Sequence, residues 1–280
     1  MKKTAIYPLK GQRIVLKVSE ISGGNIRWYQ IFPDISKYYK NAWEENPYQW
    51  VGFGKIDYHK EELRRFRGRW KITPFEIQNS RHSRYHHTDV GSFWFQTEVE
   101  RNGKTFGTPG IEDSDTRGLS PKVFRVSTRD GEGYLGYLTS FFNVPGLFGS
   151  VPYQSNNYIG ADCADILIAA YGKWKGEIIK KNYNVAMLVT KFSGVDEFDL
   201  RDGMPDKQVR WGNKIRPGDF IAVRYDDRSQ YQHIGALFRD ANKNGILDGD
   251  DIVIHAGPFP LSYSYLKEGG FDGHVKILRP

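Results

Sequence analysis

The sequence predicts an α+β protein in two parts. A basic, mainly β part comes first, and a part built from one helix and an antiparallel sheet follows. Three observations carry this reading. Residues 11–32, 69–78 and 91–100 alternate apolar and polar positions, as half-buried strands do. From Asp162 the apolar positions Ile166, Leu167, Ala169, Ala170 and Trp174 switch to helical spacing. Charge divides the chain too. Residues 1–125 hold 22 Lys and Arg against 14 Asp and Glu, whereas residues 126–280 hold 18 against 19. The expected domains are therefore 1–125 and 126–280.

In chain order, Ile14, Leu16 and Val18 open the first strand region. Gly23-Gly24-Asn25 is a turn signal before Ile26-Arg-Trp-Tyr-Gln-Ile-Phe. Trp70 and Ile72, then Phe93, Phe95, Thr97 and Val99, mark two more strand regions. Residues 101–121, rich in Gly, Asp, Ser and Pro, read as a linker or long loop. Residues 132–142 read as a short helix and 145–161 as loop. Asp162 is a good helix N-cap, because its carboxylate can accept the free N–H groups of the first turn. Strands are expected at 184–190, 219–225, 233–238, 251–255 and 273–278.

Composition excludes several classes. Aromatic residues at 15% and charged residues at 26% describe a folded chain with a core. No run of 18 apolar residues exists, so no membrane span is expected, and the start does not read as an ordinary signal peptide. A single Cys excludes an internal disulfide framework and a Cys-rich zinc site.

That Cys, Cys163, stands at the start of the predicted helix. Unpaired N–H groups and the helix dipole there favour an anion, so a stabilised thiolate is expected. A thiol nucleophile needs a base within hydrogen-bond reach. Of the seven histidines, His233 and His255 each sit at the edge of a predicted strand in the second part. Helix Cys, strand His and a polar group on the next strand form the order of a Cys-His-polar triad.

Three segments then resemble one family. Tyr158-Ile-Gly-Ala-Asp-Cys-Ala-Asp-Ile-Leu looks like the nucleophile segment of the NlpC-type cell-wall cysteine peptidases. Arg216-Pro-Gly-Asp-Phe-Ile-Ala-Val with His233-Ile-Gly-Ala-Leu resembles their Pro-Gly-Asp and histidine strands, and Ile252-Val-Ile-His-Ala-Gly their third-residue strand. The resemblance covers about residues 130–280. It implies a papain-like domain hydrolysing amide bonds in peptides, most of all peptidoglycan stem peptides, in an extracellular or periplasmic setting. It also implies Cys163 as nucleophile, His233 as base, His255 as orienting residue, and Tyr153 as helper of the oxyanion hole. The chain departs from the family in having Ala164-Asp165 where Ser-Gly is usual. Asp-Cys-Ala-Asp before an apolar helix is also similar to transglutaminase-like proteins. A non-catalytic module binding cell-wall glycan or nucleic acid is the rival from another class.

Between the histidine strands, residues 240–251 match a twelve-position calcium loop. Asp240, Asn242 and Asn244 fall at positions 1, 3 and 5, Gly245 at 6, Ile246 at 7, Asp248 at 9 and Asp251 at 12. A structural Ca2+ is expected there, against a plain Asn-Gly turn. Catalysis by the proposed triad requires no cofactor.

Weaker signals lie in the basic part. His82, His86, His87 and Asp89 could gather a metal, though the arginines beside them argue for a solvated basic loop. Residues 61–71 interleave Arg with aromatics. With no nucleic-acid module signature present, a hairpin with a solvated charged face is expected over nucleic-acid binding, and a role in holding an anionic cell-wall polymer fits the second part better. Trp28, Tyr29, Trp43 and Trp50 are candidates for stacking on sugar rings.

Overall fold

Short strands β1 (Ala5–Ile6) and β2 (Leu16–Lys17) lead into β3 (Asn25–Pro33), whose Ile26, Trp28 and Ile31 are buried. Next come β4 (Tyr38–Lys40), β5 (Tyr58–Glu62), β6 (Lys71–Ile72) and the long β7 (Gly91–Arg101). Asn102 and Gly103 both have positive φ and turn β7 tightly into β8 (Lys104–Gly107). The pair β9 (Ser114–Asp115) and β10 (Gly118–Leu119) precedes β11 (Phe124–Thr128). The main sheet of this half runs β1-β11-β7-β3-β5, with β8 on the edge of β7. This computed structural model describes residues 4–18, 23–46, 49–74 and 84–280.

The second half opens with α1 (Gly133–Thr139), β12 (Gly146–Phe148) and α2 (Pro152–Asn156). Then follow α3 (Cys163–Lys175), α4 (Val185–Lys191), β13 (Ser193–Arg201) and β14 (Met204–Pro205). The remaining strands are β15 (Phe220–Arg224), β16 (His233–Arg239), β17 (Ile252–His255), β18 (Ser262–Tyr265) and β19 (Gly273–Arg279). Seven of these strands form one antiparallel sheet, β14-β13-β19-β15-β16-β17-β18. The fold is α+β with sheet predominating.

Three expectations are corrected. Residues 101–121 are no linker: they finish β7, form β8 and continue through the 3-10 turn Ile111–Asp113 into β9 and β10. Residues 145–161 hold β12 and α2. Residues 184–190 form a helix, because Asn184 caps it, Oδ1 accepting the Met187 N–H at 2.9 Å, and Val185 and Leu188 bury one face. The β-branched Val185, Val189 and Thr190 made the segment read as a strand.

The two halves are joined by packing as well as by chain. The largest core unites Ile31, Trp94 and Val123 with Leu167, Ala222 and Ile254, and the expected 125/126 division falls inside β11. β4 pairs in parallel with β12, Tyr38 opposite Gly146. Arg125, 6% exposed, donates to Ser127 Oγ, the Asn157 carbonyl and the Tyr7 hydroxyl, and its guanidinium lies 4.0 Å from the Tyr158 ring. A small core of Tyr39, Ile56, Leu147 and Ile159 closes the same seam.

Leu147 is fully buried there. Leu147→Ala is expected to cost about 2–5 kcal/mol in chemical denaturation, with a single cooperative transition. Two separable transitions in the wild-type chain would contradict a shared core.

Candidate active site

Helix α3 begins where Asp162 accepts the N–H groups of Ala164 (3.1 Å) and Asp165 (2.9 Å). It ends at Gly176, whose φ of 73° lets its N–H turn back to Gly172 and Lys173. Cys163 is therefore the first helical residue. The Ile234 and Ala164 amides are near enough to favour the thiolate, against the larger effects of burial and Asp162. Ile234 follows His233, so the thiol lies at the beginning of β16.

The expected thiolate is not what this environment favours. Withdrawal from water pushes the Cys163 thiol well above its ordinary range, and the Asp162 carboxyl adds to the effect. The helix dipole is worth about 0.3–1 kcal/mol, under one pKa unit, while desolvation can reach about 3–5 units. Cys163 keeps some exposed surface, which moderates the shift without reversing it. Asp162 and Asp165 are themselves raised by burial.

His233 is the first residue of β16 and His255 the last of β17. The register sets Gly235 opposite His255. A Cβ on Gly235 would lie 2.9 Å from His255 Cβ and 3.0 Å from Phe271 Cζ, so only glycine leaves room for the ring. His233 Nε2 and His255 Nδ1 are 3.0 Å apart, and His255 Nε2 lies 2.8 Å from Ser264 Oγ. Phe271 floors both rings, at centroid distances of 4.9 and 5.4 Å. Desolvation lowers both imidazoles, His233 to about 3 with a contribution from His255, and His255 to about 4. Both rings are therefore neutral at pH 7.

Strand alternation places the groups on two sides. Ile234 and Ala236 join the core beneath α3, whereas Leu237 and Phe271 belong to the core on the opposite face, the face of the two imidazoles. Cys163 packs with Ile234 in the core beneath α3, on the side of the sheet opposite the two imidazoles.

Tyr153 has a different setting from the one expected. It is 37% exposed on α2, and the Arg117 guanidinium lies 4.5 Å over its ring. The tyrosines whose ionisation responds to Cys163 are Tyr38 and Tyr225. Tyr38 is raised by burial first and then by charge at Cys163 and Asp162, so it remains a neutral phenol. Its hydroxyl would lie 3.8 Å from a Cβ on Gly257, which places it at the turn after His255. Tyr225 donates to the Gly270 carbonyl at 3.0 Å. Tyr38 lies 125 residues before Cys163 in the other half, and only the β4–β12 pairing reveals it.

The Pro-Gly-Asp motif has a structural use. Asp219, 1% exposed, accepts the Arg216 N–H and two bonds from Arg279, tying β15 to the last strand.

The 240–251 loop folds inward. Asp240 Oδ2 accepts the Gly245 N–H at 2.8 Å, while Oδ1 is buried and has no hydrogen-bond partner. Asn242 and Asn244 donate to Asp248, and their own Oδ1 atoms accept the N–H groups of Asn244 and Ile246. Asp251, fully buried, accepts from Ala241, Asp248 and Trp211 Nε1. Both its oxygens thus serve the loop. Ile246 bridges to Arg210.

Among the described residues, no group of three or more His, Cys, Asp and Glu side chains is arranged to hold a metal ion. Elsewhere His87 stacks on Phe142 at 3.8 Å and His86 lies against Phe32, while His82 falls outside the described residues. Trp28 is core, whereas Trp43 and Trp50 are half exposed. No described helix is long and apolar enough to cross a membrane.

No protein-family model, curated protein or solved structure matches the chain.

The depressed imidazoles give a pH dependence with a definite sign. Unfolded histidine titrates near 6.5, so the unfolded chain takes up protons first as pH falls. Stability is expected to be complete above about pH 6.5 and to drop progressively toward pH 4. In melting curves across this range, His255→Gln should shrink the acid loss. An unchanged acid loss in that variant would mean that other groups cause it.

Proposed function

We propose that the chain is a cysteine hydrolase acting on amide bonds of peptides, with peptidoglycan stem peptides as the substrate class and a location outside the cytoplasm. The observation that carries this reading is the hydrogen-bonded pair His233–His255 at the start of β16, the strand that packs against the helix begun by Cys163. The substrate class rests on the resemblance of the three segments to NlpC-type peptidases.

In this reading the resting site holds a neutral thiol and a neutral imidazole. As Sγ bonds to the substrate carbonyl carbon, the thiol proton passes to His233 Nδ1. The developing oxyanion takes donors from the neutral Tyr38 hydroxyl and the Cys163 N–H, so Tyr38 replaces Tyr153 in that role. His233 then gives its proton to the leaving amine. Water attacks the thioester, losing a proton to the same nitrogen, and the acid product leaves as the thiol re-forms. His255 accepts from His233 Nε2–H and steadies the imidazolium.

A second reading, a non-catalytic module for cell-wall glycan or nucleic acid, is favoured by the raised thiol and by Trp43 and Trp50, each half exposed. The exposed Arg64 and Arg65 beside Phe66 fit an anionic cell-wall polymer as partner in either case. A transglutaminase-like thiol enzyme would share the nucleophile and base, and acyl transfer to an added amine would identify it.

Assays on muropeptides separate these readings. Cys163→Ala should abolish cleavage with folding intact, and His233→Ala should cost more than His255→Ala. Tyr38→Phe should lower kcat by about 10²-fold, while Tyr153→Phe should leave it near wild type. Full activity of Cys163→Ala would falsify the hydrolase assignment.

Calcium binding by residues 240–251 is proposed as a structural role that fixes the spacing of β16 and β17. Its support is the orphaned Asp240 Oδ1, with Asn242, Asn244, the Ile246 carbonyl and Asp248 as further oxygen donors. Asp251 is occupied by N–H donors, which points to modest affinity. Millimolar Ca2+ should raise the melting temperature of chelator-stripped protein, and Asp240→Ala should remove the gain. An unchanged melting temperature would leave a hydrogen-bonded turn alone.

A further inference from the structure

We propose that Ser264, on β18, is a positioning residue that sets the proton arrangement of the histidine pair and so leaves His233 Nδ1 bare to act as base. The inference rests on the hydrolase reading for its purpose, but its geometry stands apart from it. Three groups form one chain, with His233 Nε2 3.0 Å from His255 Nδ1 and His255 Nε2 2.8 Å from Ser264 Oγ.

A neutral imidazole has one N–H and one bare nitrogen, so the chain has two self-consistent arrangements. In the first, His255 carries its proton on Nε2 and donates it to Ser264 Oγ. His255 Nδ1 is then bare and accepts from His233 Nε2–H, and His233 Nδ1 is free. In the second, Ser264 donates to a bare His255 Nε2, His255 Nδ1–H donates to His233 Nε2, and the proton of His233 sits on Nδ1. Only the first contains a base facing away from His255.

The surroundings favour the first arrangement. A proton on His233 Nδ1 would need an acceptor of its own, and among the described residues the ring makes its hydrogen bond through Nε2 to His255. Phe271 offers both rings an apolar surface and no competing polar partner. Gly235 lets His255 approach the neighbouring strand, and Ser264 on the far side fixes its rotation. Without the hydroxyl, nothing in this chain holds the proton on His255 Nε2.

The test uses the full chain labelled with 15N-histidine, read by imidazole 15N–1H correlation at neutral pH. Wild type should show His255 protonated on Nε2 and His233 protonated on Nε2. Ser264→Ala should shift His255 to an averaged or Nδ1-protonated state, and Ser264→Thr should restore the wild-type pattern. On a cleaved peptide, Ser264→Ala should lower kcat about tenfold with little change in KM, the scale of one lost hydrogen bond. A wild-type spectrum with the His233 proton on Nδ1 would overturn the proposal, as would identical spectra in wild type and Ser264→Ala. If Ser264→Ala does not fold, the wild-type spectrum and Ser264→Thr decide. A Ser264-dependent tautomer in a protein that cleaves no peptide would retain this proposal and remove the hydrolase reading.

Discussion

The start of α3 is the constraint on which the site depends. Asp162 closes the first turn, and its own N–H is accepted by Ser150 Oγ at 3.1 Å. Ser150 in turn donates to the buried Asp165 carboxyl. The helix end is thereby fastened to the segment after β12 before any substrate is present. This fastening has an electrostatic cost. Two carboxyls beside a thiol oppose its ionisation, and Asp165 Oδ1 has no hydrogen-bond partner. In the proposed hydrolase, a site so arranged would hold its proton until a neighbouring base removed it. Such a nucleophile would work as a hydroxyl does more than as a preformed thiolate.

The opposite strand end is organised by absence and contact. Gly235 removes the side chain that would block His255, and Phe271 supplies an apolar floor. Asp219 secures β15 to β19 through Arg279, so the strand paired with β16 is held at both sides. These are rigid sheet elements, suited to holding rings within hydrogen-bond distance.

Local signals were readable where local physics decides. Asp162 as a cap, the apolar spacing of α3 and the histidine strands all rest on neighbouring residues, and the described structure contains them. The Asn102-Gly103 hairpin is equally local, since Asn-Gly is a strong turn signal, but the Gly, Asp, Ser and Pro around it give the segment the composition of a linker. Segment 184–190 shows the opposite difficulty. Its β-branched residues favour a strand, and the Asn184 cap with tertiary burial of Val185 and Leu188 overrides them. The raised thiol depends on water exclusion by distant elements, which no local pattern records. Tyr38 and Ser264 reach the site through strand pairing, and pairing partners are not written in either segment alone.

The parallel contact of β4 with β12 has a consequence for how such a protein can change over evolutionary time. The strand that carries Tyr38 in the first half pairs with β12 in the second, and the largest core spans both. The halves are consequently not interchangeable modules. Exchange of the first half for an unrelated binding unit would remove Tyr38 and uncover Leu147, so inheritance of the site requires the two sheets to travel together.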